Sequence, residues 1–168
     1  MDFIEFLINL MQDPVAYSVV FFIYTILAAV ILPIPVELGL FNPYISPVIL
    51  VIILAAGKGV GAGIVYYIGI GVRGIAKKTN FSSKLLDTIL GALERFVKKF
   101  SYLGLFIIMS IPLMLDSVTL YLFSLCNPDE GKTHFLRLNN FVLINIAAGA
   151  VRGSIVLIIF YLIGLKLV

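Results

Sequence analysis

The chain has no tryptophan, one cysteine and one histidine, and only 12% of its 168 residues are charged. The single cysteine, Cys126, excludes an internal disulfide framework, and the single histidine, His134, leaves no basis for a histidine metal site. A soluble domain carries about 25% charged residues and roughly 45–50% apolar ones. Here 61% of the residues are hydrophobic. A chain of this size cannot bury that much apolar surface in a water-facing fold, so lipid must cover part of it. The composition therefore excludes a soluble enzyme and a disordered chain alike.

The few charges map the membrane. Asp2, Glu5 and Asp13 are acidic where a secretory signal would be basic, and residues 1–13 read as a short interfacial amphipathic helix. Residues 14–72 are interrupted only by Glu37 and Lys58, and residues 101–166 form a second apolar half broken by Asp116, Arg152 and a polar insertion at 127–138. Between them, residues 73–100 carry Arg73, Lys77, Lys78, Lys84, Arg95, Lys98 and Lys99, with apolar residues from Leu85 to Phe100 at helical spacing and Ser82 or Ser83 as a cap. This reads as a basic amphipathic helix on the cytoplasmic face of a multi-pass protein of the cell membrane. Its apolar face is committed to lipid, which argues against nucleic-acid binding.

The two halves repeat one pattern. Pro33-Ile34-Pro35-Val36-Glu37 is matched by Pro112-Leu113-Met114-Leu115-Asp116, a proline followed four positions on by a carboxylate. Gly57-Lys58 through Gly61 is matched by Gly149 through Arg152-Gly153, each a Gly-x-x-x-Gly holding one cation. Such duplication in a membrane protein points to pseudo-symmetric halves with the functional site between them. The prolines at 33, 35 and 112 break the apolar runs as the tips of re-entrant hairpins would. The expected fold is an all-α integral membrane protein. It has two re-entrant helical hairpins plus transmembrane helices in an inverted repeat, with the basic helix between the halves. The alternative is four plain spans, at about residues 15–33, 44–72, 102–125 and 139–166.

Each intramembrane charge costs about 2.5–3.5 kcal/mol at a helix centre, so Glu37, Lys58, Asp116 and Arg152 together cost on the order of 10 kcal/mol if unpaired. They must face each other or water. One reading is a pair of acid–base locks between the halves. The other is a polar cleft, in which Lys58 and Arg152 hold an anionic lipid phosphate and Glu37 and Asp116 carry protons, because low dielectric favours the neutral carboxyl. Gly57, Gly61, Gly149 and Gly153 allow the close helix packing that brings these cations together. A Gly-x-Gly-x-x-Gly match at Gly69–Gly74 lacks the surrounding strands and helices of a dinucleotide fold. No nucleophile–base pair, metal cluster or cofactor motif is present, so no catalytic role is expected.

Taken in order, Pro-x-Pro-x-Glu, Asn42-Pro43, the Ala- and Gly-rich stretch ending Tyr67-Ile68-Gly69, the basic amphipathic segment, Ser110-Ile111-Pro112 and the closing run from Phe135 to Gly164 resemble the DedA family. That family is also known as the VTT-domain or SNARE-associated Golgi protein family. The resemblance covers about residues 20–166 and implies re-entrant hairpins in an inverted repeat. It also implies movement of a phospholipid or polyprenyl phosphate between leaflets, with protons as a partner in bacterial relatives. Glu37 matches the family's acidic residue. The sequence departs at Val36, where the family has glycine, at Ile70, and at Met109 and Leu115, where it has arginines. Lys58 and Arg152 are the cations left to meet a phosphate. The competing readings are a proton-coupled exporter of small cations and a non-transporting membrane scaffold or assembly protein. A homo-oligomer is compatible with all three.

Overall fold

The computed structural model describes residues 11–31, 34–78, 84–127, 129–130 and 133–163. Pro33, the Ser82 or Ser83 cap and most of the amphipathic segment expected at 1–13 lie outside the described residues. Among the described residues the elements are helical, apart from a short antiparallel ladder pairing β1 (Asp129–Glu130) with β2 (Thr133–His134).

Helix α1 (Pro14–Val30) starts where the sequence supplies a start signal. The Asp13 carboxylate accepts from the Val15 and Ala16 amides at 2.9 and 3.2 Å, and Pro14 fills the first position, where no amide is needed. The chain then turns back through a 3-10 helix at Val36–Leu40. The returning segment lies antiparallel along α1: Tyr24 donates its hydroxyl to the Pro35 carbonyl and Tyr17 donates to the Gly39 carbonyl, each at 3.0 Å. Asn42 closes the loop by donating to the Met11 carbonyl at 3.0 Å. The first reversal therefore ends beside its own beginning.

Helix α2 (Pro47–Lys78) then runs parallel to α1, with Gly57 opposite Thr25 and Gly61 opposite Ala29. It continues unbroken through Arg73 to Lys78, so the boundary expected after residue 72 is not a helix end. Nothing in Ile75-Ala76-Lys77-Lys78 stops a helix. Arg73 accordingly sits on the end of α2 and donates to the Leu125 carbonyl at 3.0 Å.

Helix α3 (Lys84–Ser110) contains a sharp break at Ser101, whose φ of 47° lies in the left-handed region. Past the break it continues to Ser110, the chain turns at 111–115, and α4 (Asp116–Leu125) carries it back. Residues 102–125 are thus two short helices, not the single span of the four-span alternative. The proline and the left-handed Leu113 (φ 62°) interrupt the run. Each limb is about 15 Å long, half of a hydrocarbon core. The open end of this second reversal is clipped by Asn127, which exchanges two hydrogen bonds with the Leu136 backbone at 2.7 and 2.8 Å. Tyr66 adds a third to the Leu136 carbonyl at 2.7 Å, which sets that end beside the latter half of α2. The first reversal opens instead beside the start of α2.

Helix α5 (Leu138–Leu162) returns antiparallel to α2. Gly149 meets Ala55 and the Lys58 stem, Gly153 meets Val51 and Leu54, and Ile146 lies over Gly59. Two helical stretches among the described residues, Pro47–Gly74 and Leu138–Leu162, are long and apolar enough to cross a membrane. They suggest a membrane protein. The surface agrees with the composition: Val15, Val19, Ile23 and Leu27 form an exposed stripe along α1, while Lys58 and Arg152 are wholly buried.

Candidate functional site

Lys58 and Arg152 lie near the middles of the two long apolar helices, and the two reversals converge on them. Glu37 enters from the first turn of the 3-10 helix, and Asp116 from the first turn of α4. An acid in a helix's first turn is favoured by the unpaired amides there, so these positions orient both carboxylates. All four charges are at most 5% exposed.

The pairing crosses between the halves. Arg152 donates from Nε to Glu37 Oε1, which also forms an ion pair with Nη2, from Nη1 to Asp116 Oδ1 at 2.6 Å, and from Nη2 to the Met114 carbonyl at 3.0 Å. Lys58 Nζ donates to Asp116 Oδ1 and to the Met109 carbonyl, both at 3.2 Å. Glu37 Oε1 also accepts from the Leu113 amide at 2.8 Å, so the first reversal's carboxylate holds the second reversal's tip. The formal charges cancel. Glu37 Oε2 and Asp116 Oδ2 are nonetheless buried without a hydrogen-bond partner, where most buried polar atoms have one.

Glu37, Lys58, Asp116 and Arg152 form one cluster. Pro35 precedes the 3-10 helix and offers its carbonyl to Tyr24, and Pro112 lies in the second turn. Pro33 lies outside the described residues. A Cβ on Gly57 would overlap the Thr25 side chain and one on Gly61 would overlap Ala29, while Gly149 and Gly153 would each be crowded at 3.1 Å. Tyr67 and Tyr161 are exposed, and Cys126 is buried. Among the described residues no group of His, Cys, Asp and Glu could hold a metal.

Sequence reasoning missed the backbone half of the cluster, namely the Met109 and Met114 carbonyls and the Leu113 amide. No residue identity announces these. It also passed over Asn145, fully buried on α5, whose amide nitrogen donates to the Phe141 carbonyl at 2.8 Å. Its spacing to Gly149 and Arg152, four and seven positions on, would have placed it on the same helix face. No family model, curated protein or solved structure matches this chain.

Proposed function

We propose that this protein is a lipid translocase. In this reading two re-entrant hairpins enter the bilayer from opposite sides as an inverted repeat and meet over a charged centre near its middle. The observation that carries the reading is the convergence of both chain reversals on one buried cluster of four ionisable side chains, halfway along the two membrane-length helices. The short limbs on either side of Pro112 support a hairpin that stops at mid-membrane. A polar centre there offers a phosphate headgroup a stopping point while acyl or prenyl chains stay in hydrocarbon. The resemblance to the DedA family supports the same substrate class, a phospholipid or polyprenyl phosphate, and a multi-pass protein of the cell membrane with residues 73–100 in the cytoplasm.

The test is transfer of labelled phospholipid and polyprenyl phosphate between leaflets of liposomes containing the full chain. Wild type is expected to move label and Glu37→Gln to lose that activity. Equal transfer by both, or by neither, overturns the mechanism.

That each of the four charges has an opposite partner within the protein favours a second reading, a membrane scaffold whose halves are locked by the cluster. It predicts no transfer by the wild type, and partner binding that survives replacement of all four charges provided the chain still folds. A small-cation exporter gains no such support, because both carboxylates already face the protein's own cations.

A further inference from the structure

We infer that Glu37 and Asp116 are tethered counter-anions which occupy the Arg152–Lys58 cation pair in place of a phosphate, and that protonating them hands the pair to a phosphate diester. The inference rests on the translocase reading and specifies how its site is regulated. Arg152 presents a planar fork that suits two oxygens of a phosphate or carboxylate. In this structure both edges of the fork are filled from within, one by Glu37 and the other by Asp116, and Lys58 is held by Asp116. With no exposed surface on either cation, an incoming anion can bind only by displacing a carboxylate.

Displacing an ionised carboxylate would strand a charge in a buried site, which is costly. Displacing a neutral carboxyl is not. Each carboxylate keeps one buried oxygen that makes no hydrogen bond, Glu37 Oε2 and Asp116 Oδ2, and these are where protons would land. The charge balance closes: the cluster is neutral as it stands, reaches two positive charges after taking up two protons from water, and one after binding a diester.

The same step acts on the second reversal's turn. Leu113 is held in a left-handed conformation, unusual for a leucine, while its amide donates to Glu37 Oε1. Neutralising Glu37 weakens that bond and loosens the turn whose Met114 carbonyl accepts from Arg152. Among the described residues, the charged and titratable groups facing the two carboxylates are Tyr24 from α1, Lys58 from α2 and Arg152 from α5, with the Met109 carbonyl nearby from α3.

The experiment is equilibrium binding of radiolabelled short-chain phosphatidylglycerol to the full chain in detergent. This ligand carries one negative charge throughout the range. Short-chain phosphatidylcholine and inorganic phosphate serve as competitors. Because the binding state holds more protons, affinity should rise as pH falls, by about tenfold per pH unit for each proton taken up. Glu37→Gln combined with Asp116→Asn should flatten that dependence and bind at neutral pH as the wild type does in acid. Wild-type binding that ignores pH overturns the inference, and this arm needs no variant to fold. Competition by inorganic phosphate as strong as by the lipid overturns the lipid source. Acid-favoured binding without transfer in liposomes would sink the translocase reading alone, whereas transfer with pH-independent binding would sink only this inference.

Discussion

Arg152 places two of its nitrogens on a single oxygen of Glu37, a residue 115 positions earlier in the chain. One side chain thereby ties the last helix to the first reversal, and its third nitrogen ties it to Asp116 in the second. The arrangement makes Arg152 the centre of the cluster, with Lys58 as a support for Asp116 alone.

Removing that centre should be severe. Arg152→Leu leaves two buried carboxylates with only Lys58 between them, a loss of about 3–5 kcal/mol where one partner of a buried pair is deleted. Arg152→Lys keeps the charge but cannot reach Glu37, Asp116 and the Met114 carbonyl together, so it should fall between wild type and Arg152→Leu. Thermal unfolding in detergent, read by the loss of the monodisperse species, gives the order. A leucine variant as stable as the wild type would show that the cluster does not hold the fold together.

Lys58 and Asp116 should be energetically coupled. Their contact at 3.2 Å joins elements that are 58 positions apart. A double-mutant cycle of Lys58→Met and Asp116→Asn should give an interaction energy of about 1–3 kcal/mol, as residues in one buried ion network do. Additive effects would mean that Lys58 is held by the Met109 carbonyl and that its charge is incidental.

Helix packing makes a separable prediction. Gly57→Ala puts a methyl into the Thr25 side chain, which is itself tied back to the Phe22 carbonyl at 2.7 Å. Overpacking of this kind costs about 1–3 kcal/mol. Gly71 has open space where a Cβ would go, so Gly71→Ala should be neutral or slightly stabilising through helix propensity. The comparison is made on the same thermal assay, and equal effects at the two sites would refute the close α1–α2 approach.

Much of this was legible in the sequence because lipid makes charge expensive. Only paired or solvated charges persist in long apolar runs, so Glu37, Lys58, Asp116 and Arg152 stood out and their mutual pairing was one of two available answers. The prolines and the duplicated spacing likewise announced where the chain would turn. What stayed hidden depends on the backbone. Sequence gives no sign that the Leu113 amide would meet Glu37, or that Ser101 would break α3 with a positive φ. The extent of α2 past residue 72 is hidden because Arg73 opens a run of basic residues, while its neighbours simply prolong the helix to Lys78. Tyr17 and Tyr24, which stitch the first reversal to α1, carry no mark of that role in a run of apolar residues.

The opposed entry of the two reversals can be tested without any transport assay. Tyr44 is exposed at the open end of the first reversal, and Arg137 is exposed at the open end of the second, next to Tyr102, whose hydroxyl accepts from the Arg137 amide at 2.7 Å. In a Cys126→Ala background, Tyr44→Cys and Arg137→Cys should label with a membrane-impermeant maleimide from opposite sides of the membrane. Leu113→Cys reports on depth, since Leu113 is 70% exposed at the second tip. If that exposure faces hydrocarbon, the impermeant reagent should fail there from either side while a lipid-soluble maleimide succeeds. Rapid labelling of Leu113→Cys by the impermeant reagent would put the tip in water. The cluster, though buried within the protein, would then lie near the membrane surface and offer a headgroup no route through hydrocarbon.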